Sequence, residues 1–241
     1  MNSIWHSPSA KSNLVSGEIQ VWLAEFGELS EQLTEFEQIL SPDERERADR
    51  YRRHPDRVRF TVARGVLRRI LAGYSGLSPS ELEFSYSERG KPQLKTNLLG
   101  IEFNVSHSEE LGLFAIALNR QVGVDVELIR TLEVLSLAKR FFQASEYSAL
   151  GALQGNQQLR GFFQLWTAKE AYVKATGEGL SGLESVEFCL SDLKLAKTLT
   201  VRSLNSDWFV QSLDLGSEYC AAIAVAGKQC SIKCWKFNHS E

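Results

Sequence analysis

The chain has 241 residues, of which 43% are hydrophobic and 24% charged, and its formal net charge is −3. That length carries one large domain or two compact lobes, and the mild negative charge argues against a general nucleic-acid binder. No apolar run approaches the ~20 residues that cross a bilayer, and Met1–Val15 lacks the basic-then-apolar pattern of a signal peptide, so a cytoplasmic protein with no membrane partner is expected.

In chain order, Ile19–Leu23 reads as a first strand. Ser41-Pro42-Asp43-Glu44 is a helix start, with Ser as N-cap, Pro at the first helical position and an acid three residues after the cap. A second helix is predicted over Pro55–Tyr74, with Phe60, Val62, Val66, Leu67, Ile70 and Leu71 on its inner side. Between Ser41 and Arg69 lie ten of the sixteen arginines, no lysine and five carboxylates, a local excess of +5. Pairing along a wet helix face explains about half of these arginines. The rest offer planar donor forks suited to phosphate oxygens. Ser78-Pro79-Ser80-Glu81 repeats the capping signature for a short turn, and Leu82–Tyr86 alternates like a strand. In Glu88-Arg89-Gly90-Lys91-Pro92, Gly and Pro forbid regular structure.

Ile101–Val105, Leu111–Leu118 and Val122–Glu127 read as strands. Asn119-Arg120-Gln121 joins the last two and is short enough for a hairpin. Helices are predicted at about Glu133–Phe142, Ser145–Leu153 and Gln158–Thr176, the last stopped by Gly177. Val186–Phe237 reads as strands separated by turns. Cys189, Cys220, Cys230 and Cys234 lack zinc spacing and are expected as reduced thiols. The loosely repeated order of strand, helices and strands predicts an α+β chain of two lobes, residues 1–121 and 122–241.

Chemistry concentrates in four places. In Gly123-Val124-Asp125-Val126-Glu127, strand alternation puts the three valines (Val122, Val124, Val126) on one side and Asp125 with Glu127 on the other. Two carboxylates on one face suit a hard cation such as Mg²⁺; alone, they fit two solvated acids better. Trp166, Glu170 and Lys174 fall on one helical stripe, placing an acid beside a cation as a metal-phosphate site requires, or as a surface ion pair would. Ser106 and His107 stand at a strand exit, and Lys91 sits on a turn from which it could reach a phosphate.

The ordered blocks Arg89-Gly90-Lys91-Pro92, Phe103-Asn104-Val105-Ser106-His107-Ser108, Gly123-Val124-Asp125-Val126-Glu127 and Trp166-x-x-Lys169-Glu170-Ala171-x-x-Lys174 resemble the 4′-phosphopantetheinyl transferases, in their surfactin-type monomeric branch. The likeness runs from Ser41 to about Leu183, and the stretch Arg59–Arg68 resembles heterocyst-type bacterial members. It implies two pseudo-symmetric lobes, each a small antiparallel sheet with helices, around a coenzyme A cleft. It implies transfer of the phosphopantetheine arm of coenzyme A to a serine of an apo acyl carrier protein or peptidyl carrier domain, releasing adenosine 3′,5′-bisphosphate. Fatty-acid, polyketide, peptide and glycolipid synthases carry such partners.

On this resemblance Asp125, Glu127 and Glu170 would hold Mg²⁺, and Lys174 would stabilise phosphate charge. Glu170 or Glu146 would act as base for the carrier serine. Lys91, Pro92, Ser106, His107, Asp125 and Lys174 would contact the cofactor, His107 at its 3′-phosphate. Glu44 departs from the family by standing where some relatives place a phosphate-gripping lysine, which passes that work to Arg47, Arg53, Arg59 or Arg64. The competing readings are another Mg²⁺-dependent phosphotransfer or pyrophosphate-cleaving enzyme, and a catalytically silent relative. No Walker or kinase loop supports the first, and retention of Asp125, Glu170 and Lys174 opposes the second.

Overall fold

In the computed structural model, which describes residues 5–7, 14–188, 198–200, 208–227 and 230–238, strand β1 (Glu18–Glu25) leads into two short helices. These are α1 (Phe26–Leu29) and α2 (Leu33–Ile39). Neither was read from the sequence, because four to seven residues give too little periodicity; burial of Phe26, Leu29 and Phe36 holds them. Helix α3 (Pro42–Asp49) starts at the expected cap, where the Ser41 N–H donates to Glu44 Oε2 at 3.1 Å. Helix α4 (His54–Ser75) ends at Gly76, whose φ of 75° gives the left-handed residue that closes a helix. A hairpin of β2 (Phe84–Tyr86) and β3 (Pro92–Leu94) follows, then β4 (Ile101–Ser108) and β5 (Leu111–Leu118).

The second half runs β6 (Val122–Leu128), α5 (Val134–Phe141), α6 (Ala144–Gly151) and α7 (Gly155–Thr176), closed by Gly177 at φ 79°. Strands β7 (Thr198–Thr200), β8 (Trp208–Leu213), β9 (Tyr219–Ala226) and β10 (Ser231–Lys236) complete it. Cys189 and parts of the predicted strand region, residues 189–197 and 201–207, lie outside the described residues. Cys220 and Cys230 are free thiols. No helix among the described residues is long and apolar enough to cross a membrane. The architecture is α+β.

Two four-stranded sheets carry the fold, in the orders β10-β1-β5-β4 and β6-β9-β8-β7. Two expectations need correction. Strands β5 and β6 form no hairpin: β6 pairs antiparallel with β9 in the second sheet. The linker is drawn there because Arg120 Nε donates to Ala226 O at 2.6 Å and the Ala226 N–H donates to Gln121 O at 3.0 Å. Strand β10, expected in the second lobe, instead pairs parallel with β1 at the edge of the first sheet. Alternation then lets both sheets share one core, with Ile19, Val21, Leu113, Ala115, Val122, Val124, Val126, Ile223 and Val225 buried in it. Helices α2 and α4 cover the outer face of the first sheet, and α5, α6 and α7 that of the second.

The contact of α7 with β6 positions the acids. Gly123 lies against α7 so closely that a Cβ there would stand 2.0 Å from Ala171 O and 2.5 Å from Ala175 N, both backbone atoms. Backbone cannot swing aside as a side chain can. Gly123→Ala is therefore expected to lower stability by about 1–3 kcal/mol, read as a lower urea midpoint with an unchanged slope.

Candidate active site

Strands β4 and β6 are the facing edges of the two sheets, and side chains rather than backbone carbonyls join them. Val124 N–H donates to Asn104 Oδ1 at 2.9 Å, Val126 N–H to Ser106 Oγ at 3.3 Å and Leu128 N–H to Ser108 Oγ at 3.0 Å. Every second residue of β4 thus caps every second amide of β6. Ser106 was expected at the cofactor; its hydroxyl is buried in this seam, donating to Asp125 Oδ1 at 2.8 Å.

Asp125 and Glu127 face α7, away from the valines, as alternation predicts. Asp125 is 3% exposed, and its Oδ1 also accepts from Lys174 Nζ at 2.6 Å while Oδ2 is buried without a hydrogen-bond partner. Trp166, Glu170 and Lys174 are half-buried and lie on one stripe of α7, whose residues between and beside them from Gly161 on are mostly buried. Trp166 itself stacks on Phe162 and meets Phe141 edge-on, so it seats α5 on α7. Burial, and then the Asp125 charge, push the Glu127 carboxyl up. The Glu170 carboxyl is pushed up to about 7, first by burial, then by Asp125 and Glu127, against the pull of Lys174.

That shift makes a pH prediction. The folded chain keeps a proton on Glu170 that the unfolded chain has already released, so this group's stabilising share is lost as pH climbs from the ordinary carboxylate range through about 7. A divalent cation favours the ionised form and should reverse the loss. Thermal melts should show Mg²⁺ raising the midpoint at about pH 8 and hardly at about pH 5.5. Glu170→Gln should remove most of the difference; an equal Mg²⁺ effect at both values would contradict the shift.

Lys91 does not point outward as expected. Its ammonium donates to Lys174 O at 2.8 Å, Ala175 O at 3.3 Å and Val122 O at 3.4 Å, capping the negative end of α7 and tying it to β6. Burial lowers its pKa. Pro92 opens β3 opposite Tyr86. Gly90, Lys91, Pro92, Asn104, Glu170 and Lys174 line one cleft of about 310 Å³ between the β2–β3 turn, β4 and α7. The exposed His107 ring stands edge-on to Phe26, centroids 6.1 Å apart. Desolvation on that side, then the charges of Lys174 and Arg59, lower its pKa.

The arginines divide. Arg59 is bound by the hairpin tip, donating to Glu109 Oε2 and Glu110 Oε1, each at 2.9 Å. Arg47 and Arg64 lie over the Phe60 ring at 5.3 and 5.9 Å, and Arg64 also donates to Tyr86 Oη at 2.7 Å. Arg53 is exposed at the α4 N-cap. Glu44, the departure from the family pattern, is 1% exposed and pairs with Arg64 Nε at 3.3 Å and with the fully buried Arg68 Nε at 2.7 Å. It binds α3 to α4 instead of facing a ligand.

Glu146, a candidate base in the sequence reading, is not in the cleft. It is 1% exposed and pairs with Lys169 Nζ at 2.8 Å, both side chains fully enclosed. It also accepts from the Gln143 and Phe188 N–H groups, each at 2.8 Å, while Lys169 donates to Leu183 O and Val186 O. Glu146 is thus shielded from the cleft, with three donors on its two oxygens.

Comparison with known proteins decides the family. Residues 121–224 match the 4′-phosphopantetheinyl transferase superfamily and residues 26–118 the N-terminal segment of a 4′-phosphopantetheinyl transferase. The chain is 39% identical to the 4′-phosphopantetheinyl transferase HetI of a Nostoc species, over 97% of this chain and 98% of that one. The chain belongs to the 4′-phosphopantetheinyl transferase superfamily. It is also 34% identical to Sfp of Bacillus subtilis, over 61% of this chain and 64% of that one. To psf-1 of Bacillus pumilus it is 32% identical over 80% and 81%. Both carry the same enzyme name, and this chain is an enzyme of that class.

For a phosphopantetheinyl transferase, the donor set fits a hard divalent cation: the Asp125 charge raises both the Glu127 and Glu170 carboxyls, and Asp125 Oδ2 is left open. As the side chains stand, no three His, Cys, Asp or Glu groups among the described residues are in ligating geometry. Lys174 neutralises Asp125 instead.

Proposed function

We propose that the chain transfers the 4′-phosphopantetheine arm of coenzyme A to a serine of an apo acyl or peptidyl carrier protein, with Mg²⁺, giving holo-carrier and adenosine 3′,5′-bisphosphate. The observation that carries this is Glu170 and Lys174 lining one cleft, with Asp125 bound to Lys174, Asp125 and Glu127 close enough to act on the Glu170 carboxyl, and one buried Asp125 oxygen uncommitted. The serine oxygen attacks the pyrophosphate phosphorus bearing the arm, the bond to the nucleotide breaks, and the hydroxyl proton must be taken up. Little covalent chemistry is asked of the protein; charge neutralisation and alignment supply the acceleration.

Asp125, Glu127 and Glu170 would hold Mg²⁺, which supplies positive charge to the pyrophosphate oxygens. Lys174, relieved of neutralising Asp125, then serves the transferring phosphate. Glu170, with its raised carboxyl at the cleft, accepts the serine proton. Arg59 would bring positive charge, and the adjacent His107 a ring N–H donor, to the 3′-phosphate, with Arg47, Arg53 and Arg64 the other candidates for that contact. Lys91 and Pro92 shape the cleft wall. Site residues come from both halves of one chain, divided at residue 121, which suits a cytoplasmic monomer. The test is mass spectrometry of apo acyl and peptidyl carriers incubated with coenzyme A, with Mg²⁺ or with chelator. Gain of the phosphopantetheine mass only with the metal is expected; no gain across the panel overturns the reading.

A further inference from the structure

We propose that Ser106 and Ser108 are positioning residues that orient the two strand carboxylates for a divalent cation while closing the seam between the sheets. This rests on the reading of Asp125 and Glu127 as cation ligands. The two serines repeat one arrangement. Ser106 accepts the Val126 N–H at 3.3 Å and donates to Asp125 Oδ1 at 2.8 Å. Ser108 accepts the Leu128 N–H at 3.0 Å and donates to Glu127 Oε2 at 3.3 Å. Each hydroxyl therefore serves an acid and the amide that follows it, and the two-residue step of β4 matches that of β6.

The direction of these bonds is forced. A serine hydroxyl has one proton. The Val126 amide and the Lys174 ammonium, 2.9 Å from Ser106 Oγ, can only donate, so the hydroxyl proton goes to the carboxylate. One oxygen of each acid is thereby held and its partner oxygen turned away, as the unpartnered Asp125 Oδ2 shows. Asn104 provides the contrast. It caps Val124 N–H at 2.9 Å in the same row, but the preceding residue is Gly123, with no carboxylate to orient. Asn104 caps the seam and lines the cleft, with no acid to orient.

Ser108→Ala should weaken Mn²⁺ binding about 10-fold or more, the usual cost of losing a hydrogen bond to a ligating group. Mn²⁺ binding in the presence of coenzyme A is read by electron paramagnetic resonance, without turnover. Ser108→Thr, which keeps the hydroxyl, should restore affinity, and the near-isosteric Ser108→Val should not; this pair serves if the alanine variant fails to fold. Equal Mn²⁺ affinity in Ser108→Ala and the wild type, or in the Thr and Val variants, overturns the proposal. Failure of the wild-type chain to bind Mn²⁺ at all overturns the ligand reading beneath it.

Discussion

Asp125→Asn should slow phosphopantetheine transfer by about 10³-fold, the scale of removing one preorganised electrostatic group from a reacting centre, while the chain remains folded. Asparagine has the same shape and keeps an oxygen where Oδ1 accepts from Ser106 and Lys174, so the seam and α7 stay in place. What disappears is the negative charge, at the one acid of the cluster whose second oxygen is buried and unsatisfied. Lys174 is 29% exposed at its side chain and can hydrate its charge once the partner is neutral, which limits the stability cost. Initial rates with a carrier protein over a Mg²⁺ titration, beside a thermal melt, give the comparison. A rate within a few-fold of wild type would remove Asp125 from the mechanism.

The strongly patterned parts of the fold were legible in the sequence. β5 carries the predicted bounds, and β6 and α4 lie within a residue of theirs, because alternation, caps and terminal glycines are local signals. The stripe Trp166–Glu170–Lys174 was legible for the same reason. What the sequence concealed depends on partners distant in the chain. Lys91 looked free on its turn, but its partners are carbonyls 31 to 84 residues away. Glu44 looked like a lost phosphate contact until α4 placed Arg64 and Arg68 around it. Strand β10 could not be assigned to the first sheet from its own residues, since pairing with β1 closes a loop of nearly the whole chain. Asn104 and Ser108 were quoted as parts of a motif, yet only the juxtaposition of two sheet edges reveals what they hold.

Glu146→Ala is expected to destabilise the chain by about 3–5 kcal/mol, the cost of stranding a buried charge. Lys169 is 0% exposed and would keep only carbonyl partners. Burial pushes the Glu146 carboxyl up and the Lys169 ammonium down, so the pair survives on its mutual attraction and surrounding hydrogen bonds. Removing both charges together, as Glu146→Gln with Lys169→Met, should cost less than the sum of the single changes, and urea unfolding of the four proteins measures the coupling. The same series assigns the base. If Glu146 only fastens α6 to α7 and to the backbone at Phe188, the double variant that folds should retain transfer near the wild-type rate at low temperature. Glu170→Gln should then lose transfer without losing stability, because Glu170 lies at the cleft while Glu146 is sealed beneath it. A folded Glu146→Gln chain with normal stability and no transfer would reverse that assignment, giving the proton to a carboxylate that must first be exposed by an opening of α6.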